Sequence, residues 1–447
     1  MPMRRALITI AILAGAVSAL AAPTRATQAS ARTMTIDNNA SCDIGTMPAA
    51  TLLLPYFEVE FHKPVTEAGN TIFTIVNTSK LSQVARVTIW TDQGYPAAWF
   101  HIFLTGYDVQ PISLYDVLAI GRLPQTSALT TAGPRSAPGT ANPNFVSVET
   151  CNDVGGTMPA GALEALQTML TTGIREGANC RVGGQHAMAT GYVTVDLVNG
   201  CSPLSPLEIG YYSSVLLFDN VLTGDYERIN PESKIGNYAG GNPLVHIKAI
   251  PEGGPAGGAG VTSTLPYTFY DRYTPPNARK IDRRQPLPST FAARFIQGGT
   301  AAFQTDYAIW REGAAPGATM CVSANAAMPL GQIVRFDEQE NATTLAPDFV
   351  AAALPTAAGI ATSSATFPPM QGASVSGWMY LDLDNHAGAA ERGNPYSVRR
   401  ASQNWVIIHL RAEGRYGVDY DATSLANGCT PPQAPNTIMV KRPEPKK

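Results

Sequence analysis

The sequence predicts a mainly β protein built as two tandem immunoglobulin-like β-sandwich domains, with a short helical insertion in the first. Three observations predict it. Apolar and polar residues alternate with period two through several short runs. Turn formers are abundant: 40 Gly and 35 Pro stand among 447 residues, and only 15% of residues are charged. That mix favours short strands over long charged helices. Finally, a strand pattern of the first half recurs in the second, as expected of a duplicated unit.

The N-terminus reads as a secretory signal over residues 1–21. Arg4 and Arg5 precede the apolar stretch Ala6 to Leu20, and Ala19-Leu20-Ala21 fits a small-x-small cleavage site. A membrane span needs about 20 apolar residues, and this run is shorter. Residues 22–41, rich in Ala, Thr and Ser, form a flexible lead-in. The first sandwich is expected over 42–250. Thr71 to Val76 is rich in β-formers. In Val84 to Trp90, Ala85, Val87 and Ile89 oppose Arg86 and Thr88. In Trp99 to Leu104, Phe100, Ile102 and Leu104 oppose Trp99, His101 and Phe103. An insertion at about 119–182 interrupts this pattern. Within it, Leu163, Leu166, Met169 and Leu170 share the face of a helix over Ala160 to Thr172, ended by Gly173. Residues 251–264 (PEGGPAGGAGVTST) read as a linker. The second sandwich is expected over 265–435, and a basic tail over 436–447.

Three landmarks carry the repeat. Ile89-Trp90, Asp92 and Gly94 match Ile309-Trp310, Glu312 and Gly313. Gly191-Tyr192, Asp196-Leu197 and Asn199 match Gly377-Trp378, Asp382-Leu383 and Asn385. Val215 leading to Gly224 and Tyr226 matches Val406 leading to Gly414 and Tyr416. In the second landmark Val193, Val195 and Leu197 share one face, as Met379, Leu381 and Leu383 do.

Six cysteines, Cys42, Cys151, Cys180, Cys201, Cys321 and Cys429, in an exported chain favour disulfides. The expected set is Cys151–Cys180 across the insertion, with Cys42–Cys201 and Cys321–Cys429 inside the domains. No C-x-x-C is present. The net charge of −3 supplies no basic field for nucleic acid. No second apolar run is long enough to span a membrane, so the mature chain is expected to carry no transmembrane segment.

Linear catalytic signatures are absent: there is no H-E-x-x-H, Walker A, G-x-G-x-x-G or G-x-S-x-G. Gly372-Ala-Ser374-Val-Ser376 starts like a nucleophile elbow but ends in Ser. The histidines, His62, His101, His186, His246, His386 and His409, are scattered. His101 and His409 sit in strand patterns and read as half-buried residues with a hydrogen-bond partner. Asp382, Asp384 and Asn385 supply closely spaced oxygens of the kind calcium takes, with Asp419 and Asp421 later in the same half. No cofactor other than such a calcium ion is expected. The alternative is a strand end whose Asp and Asn cap the turn; Asp196 and Asp382 read as structural. Glu58 and Glu60 would share a strand face, the arrangement of some acid/base pairs and of many solvated faces. Tyr267, Tyr270 and Tyr273 form an aromatic run that offers rings to a glycan or peptide, or packs an interdomain seam. Arg279, Lys280, Arg283 and Arg284 read as a solvated basic loop, with contact to an anionic surface polymer as the alternative.

The segments LLLPYFEVE (Leu52 to Glu60), VTIWTDQGYP (Val87 to Pro96), LTGYDVQPISLYDV (Leu104 to Val117) and GRYGVDYDATSLANGC (Gly414 to Cys429) resemble a family of secreted bacterial proteins. The resemblance implies export and a bacterial origin, and it brings no activity and no site residues. The functional expectation is an exported, non-enzymatic binding or structural protein of the cell surface, periplasm or extracellular space, with a surface protein or glycan as partner. A polysaccharide-active hydrolase or lyase is the alternative, and a calcium-dependent adhesin a third.

Overall fold

The computed structural model describes residues 44–124, 156–177, 181–230, 237–238, 242–249, 268–270, 273, 282–300, 302–311, 332–344, 359–363, 376–383, 403–412 and 416–425. Among the described residues, nineteen strands form four antiparallel sheets. Sheet 1 holds, edge to edge, β5 (Val109–Ser113), β2 (Asn70–Asn77), β7 (Leu222–Asn230) and β8 (Asn237–Tyr238), with β9 (Asn242–Pro243) also beside β7. Sheet 2 holds β10 (Val245–Ile247), β1 (Thr51–Val59), β6 (Ala189–Val198), β3 (Gln83–Thr91) and β4 (Pro96–Leu104). Sheet 3 holds β15 (Gly359–Ser363), β12 (Phe303–Arg311), β17 (Asn404–Ala412) and β18 (Tyr416–Asp421). Sheet 4 holds β14 (Ala342–Thr344), β13 (Gln332–Asp337), β16 (Ser376–Asp382), β11 (Thr290–Ile296) and β19 (Thr423–Ser424). The helix α1 (Ala160–Thr172) lies in the β5–β6 connection, as does a π-helical turn at Asp116–Ile120. Leu166, Met169 and Leu170 are its buried face. No helix among the described residues is long and apolar enough to cross a membrane.

The two pairs of sheets have the same strand order. Sheet 1 reads 5-2-7-8 where sheet 3 reads 15-12-17-18. Sheet 2 reads 10-1-6-3-4 where sheet 4, taken from its other edge, reads 19-11-16-13-14. The β2–β5 and β3–β6 pairings are those of an immunoglobulin sandwich. The places of the first, fourth and seventh strands differ from that arrangement, since β1 pairs with β6, β4 with β3 and β7 with β2.

Register makes the correspondence residue-specific. Phe57 on β1 faces Gly191 on β6, and Phe295 on β11 faces Gly377 on β16. In both places the phenyl ring lies where the glycine has no side chain, with ring carbons 3.0 and 2.9 Å from the point a Cβ would occupy. Thr71 Oγ1 bonds the backbone N–H and C=O of Glu58, at 3.3 and 3.2 Å. Thr305 Oγ1 does the same for Ile296, at 2.9 and 2.7 Å. Trp90 stacks on Tyr192 across β3 and β6, and Phe336 stacks on Trp378 across β13 and β16.

Of the three sequence landmarks, one lies in this register: Gly191 to Val198 runs along β6, and Gly377 to Asp382 along β16. The other two pair non-corresponding places. Trp90 lies on β3 and Trp310 on β12, which takes the position of β2. Val215 closes a π-helical turn, Tyr211–Val215, whereas Val406 lies within β17. Both tryptophans nonetheless face one aromatic seam, from opposite sheets.

From Ile44 onward the chain makes one compact unit. Sheets 1 and 2 enclose the first core, which includes Leu52, Leu54, Phe57, Phe73, Ile75, Val87, Val193 and Val195. The second core joins the opposite face of sheet 2, through Leu53, Tyr56, Trp90, Tyr192, Val245 and Ile247, to residues of sheets 3 and 4. Sheet 2 therefore lies between sheets 1 and 3 and is covered on both faces, sheet 3 packs in turn on sheet 4, and at one edge β18 of sheet 3 also reaches β8 and β9 of sheet 1. The double cover of sheet 2 is why every residue of β6 is buried. The linker expected at 251–264 lies outside the described residues. Cys201 is the one cysteine among them and is disulfide-bonded; the pairings expected for Cys42, Cys151, Cys180, Cys321 and Cys429 fall outside.

Candidate functional site

Two polar clusters tie the halves together. The first lies in the seam. Asp196 on β6 is fully buried. It accepts hydrogen bonds from Thr51 (2.6 Å), Tyr211 (2.6 Å) and Tyr270 (2.7 Å). Arg284 stands 3.8 Å away and pairs with Asp282 at 3.2 Å. A buried carboxylate persists only when its lone pairs are filled and its charge is balanced, and here both conditions are met by residues far apart in sequence. Burial pushes the Tyr211 and Tyr270 hydroxyls well above the usual phenol value, so they stay protonated and donate. Arg86 lies between the rings of Trp99 and Tyr211, 4.4 and 4.6 Å from their centres, and donates to the Leu204 carbonyl.

The second cluster is the candidate functional site. It forms where sheets 1, 2 and 3 meet, from Tyr56 and Glu58 on β1, Arg228 on β7, His409 on β17 and Asp419 and Asp421 on β18. Arg228 binds Asp419 at 2.6 Å and Glu58 at 3.4 Å, and lies over the Tyr56 ring. Tyr56 donates to Glu58. His409 Nδ1 is 2.6 Å from Asp419 Oδ1. Burial pushes the Asp419 carboxyl up, but His409 and Arg228 outweigh it and hold it at about 2. Asp419 is therefore ionised, and Nδ1 of His409 carries the hydrogen between them. His409 Nε2 is buried and has no hydrogen-bond partner among the described residues. Asp421 has the opposite setting: burial pushes it up to about 7, and the nearby Asp419 charge adds to this against the Trp405 N–H, 2.9 Å away. Glu58 and Arg228 are the open end, with side chains 37% and 21% exposed. Chemically the cluster holds an oriented imidazole, an ionised carboxylate and an acid group that stays protonated into the neutral range. Arg228 is saturated by two carboxylates, so it presents no free cation.

The structure unites Glu58, His409, Asp419 and Asp421, which the sequence offers separately. Arg228 carries no signal in the chain beyond being a charge in a strand, and it was missed for that reason. Glu60 goes elsewhere: it binds Lys63 at 2.9 Å and the Gly69 N–H. The proposed Glu58/Glu60 pair is therefore two separate contacts. Of the aromatic run, Tyr267 lies outside the described residues. Tyr270 is buried in the seam and Tyr273 donates to the Gly94 carbonyl beside Trp90, so these two pack the seam and do not form a surface platform. Arg283 and Arg284 are buried, not solvated, because Phe218 and Asp282 receive them; Arg279 and Lys280 lie outside the described residues. Asp382 is buried on β16 opposite Thr290, as Asp196 is opposite Thr51. Asp384 and Asn385, the other calcium candidates, and His386 lie outside the described residues. No group of three His, Cys, Asp or Glu suited to a metal occurs among the described residues.

A separate cavity of about 500 Å³ is lined by Gln110, Ser113, Val117, Thr157 and the Asp116–Arg122 ion pair. No family model, curated protein or solved structure matches the chain.

Proposed function

We propose that the protein is an exported, non-enzymatic binding or structural protein of the bacterial cell surface or extracellular space, composed of two duplicated sandwich units of immunoglobulin-related type. The observation that carries this reading is the use made of the charged groups. Asp196 and Arg284 in the seam, and Arg228 and Asp419 at the three-sheet junction, are paired with residues of distant strands. Side chains able to do chemistry serve as joints between the halves. The matching strand orders and the paired Phe–Gly contacts support duplication. The Arg4-Arg5 and apolar leader, and the resemblance to secreted bacterial proteins, support export.

The test is thermal unfolding of the mature, oxidised chain against calcium, other divalent ions, cell-wall fragments and common glycans. A ligand that binds only the folded state at 100 times its Kd adds about 2.7 kcal/mol and raises the midpoint. A raised midpoint without turnover of the ligand is the expected result. One observation favours a second reading: His409, oriented by Asp419 and flanked by Tyr56 and Glu58, has the parts of a polysaccharide-active hydrolase or lyase. Release of new sugar ends from a glycan in the panel, abolished by His409→Gln, would replace the binding reading with that one.

A further inference from the structure

The two halves meet where the outer face of sheet 2 packs on the outer face of sheet 3. Trp310 on β12 sets the edge of its ring against Tyr192, 5.8 Å between centres, beside the stacked Trp90. Each of these surfaces has a counterpart. Sheet 4 corresponds to sheet 2, and Phe336–Trp378 corresponds to Trp90–Tyr192 in strand and register. Sheet 1 corresponds to sheet 3. The Thr71/Thr305 equivalence places Val76 where Trp310 stands, and Val109 opposite Val76 where Ile360 pairs with Trp310.

The counterparts are the two ends of the stack. On sheet 1, Ile72, Thr74 and Val76 alternate with the buried Phe73 and Ile75 and are half-exposed. Val109 is 55% exposed, and Leu81 and Tyr107 at the same end are 64% and 70% exposed. Tyr107 holds a φ of 58°, an unfavourable setting for a residue with a Cβ. Asp225 and Glu227, opposite Thr74 and Ile72, are exposed on this sheet. On sheet 4, Val334 and Tyr380 are buried, while Phe336, Trp378, Ala292 and Ile296 are half-buried and Arg294, opposite Trp378, is exposed. The open end of sheet 4 is the end that corresponds to where sheet 2 receives Trp310.

We infer that the protein stacks head to tail, the Val76 face of sheet 1 in one copy seated on the Phe336–Trp378 face of sheet 4 in the next. The occupant is a second copy because the contact continues the packing already present between the halves: sheet 4 on sheet 1 repeats sheet 2 on sheet 3. Such a contact joins two different surfaces, so it does not close on itself and generates an open series. The inference deepens the structural-association side of the proposed function and rests on that reading.

Two variants test it on the mature, oxidised chain by sedimentation velocity. Val76→Glu spoils the sheet 1 face and leaves sheet 4 intact; Trp378→Glu does the reverse. The wild-type chain is expected to give a series of species that lengthens with concentration. Each variant alone is expected to remain monomeric. An equal mixture of the two is expected to give a dimer and nothing longer, through the one intact face each retains. A wild-type chain that is monomeric at every concentration overturns the inference, and so does dimerisation of either variant alone, which would mean a face pairing with itself. Near-ultraviolet circular dichroism checks that each variant is folded. If Trp378→Glu does not fold, Ile296→Glu, half-buried on the same face, takes its place, with a weakened series as the expected result and an unchanged one as the refutation. A glycan-induced midpoint shift in a strictly monomeric chain would sink the stack and leave the binding reading standing. A stacking chain that also turns over glycan would sink the binding reading alone.

Discussion

Asp419 and Asp421 lie two positions apart on β18 and respond to acid in opposite senses. Asp419 is held at about 2, below the usual aspartate value of about 3.9. Its pairing therefore adds stability above the unfolded value and loses it as pH falls through about 2. An aspartate with those two values contributes about 2.6 kcal/mol at neutral pH. Asp419→Asn should cost about 2–3 kcal/mol at pH 7 in urea unfolding, with the gap to wild type narrowing toward pH 2. Asp421 is raised to about 7. The folded chain keeps that proton longer, so stability is greatest below the unfolded value, declines as pH rises from about 4 to about 7, and is level above. Asp421→Asn retains an oxygen for the Trp405 N–H and removes the charge. It should be more stable than wild type at pH 8, by at most about 4 kcal/mol, and equal to it near pH 4. A variant whose stability falls with pH as the wild type's does would refute this assignment. The sequence showed Asp419, Asp421 and His409 as polar residues in strand patterns. Their coupling was not legible, because Arg228 and Glu58, which complete the cluster, lie far back in the chain and are brought there only by the packing of sheet 3 against sheets 1 and 2.

At the level of strands, the Phe–Gly pairs carry the clearest consequence. A side chain at Gly191 would meet the Trp90 carbonyl and the Phe57 ring, and one at Gly377 the Phe336 carbonyl and the Phe295 ring. Gly191→Ala and Gly377→Ala should each lower stability by about 2–3 kcal/mol, since a backbone carbonyl cannot move aside as a flexible side chain can. Gly45→Ala, with nothing near its added carbon, should be neutral. Equal urea midpoints for Gly191→Ala and Gly45→Ala would disprove the close approach. Strands themselves were readable: β3, β4, β6 and α1 fall where alternation and helical spacing put them. Partner choice was not. Trp90 and Trp310 share a motif and a seam, and that likeness outweighed the register that relates β3 to β13.

For the molecule as a whole, the seam decides cooperativity. Two tandem domains joined by a linker would melt separately. Here one core holds Leu53, Trp90 and Tyr192 together with Trp310, Phe269 and Ile407, so neither half is complete alone. Scanning calorimetry of the oxidised chain should give one transition, with calorimetric and van't Hoff enthalpies in agreement. Trp310→Ala should shift that whole transition down, at a cost of about 3–5 kcal/mol. Two resolved transitions would show that the seam does not couple the halves. The sandwich class was visible from turn formers and alternation. The four-sheet stack was not, because an aromatic face that covers another sheet and one that meets a ligand have the same composition.

The buried seam face of sheet 2 also sets an order on synthesis. A chain made from its N-terminus completes β1, β3 and β6 long before β12 and β17 exist. Throughout that interval Leu53, Tyr56, Trp90 and Tyr192 have no cover from their native partners. Apolar surface left bare in this way is the kind that aggregates, so a first half that folds early carries that hazard until the last third of the chain has arrived.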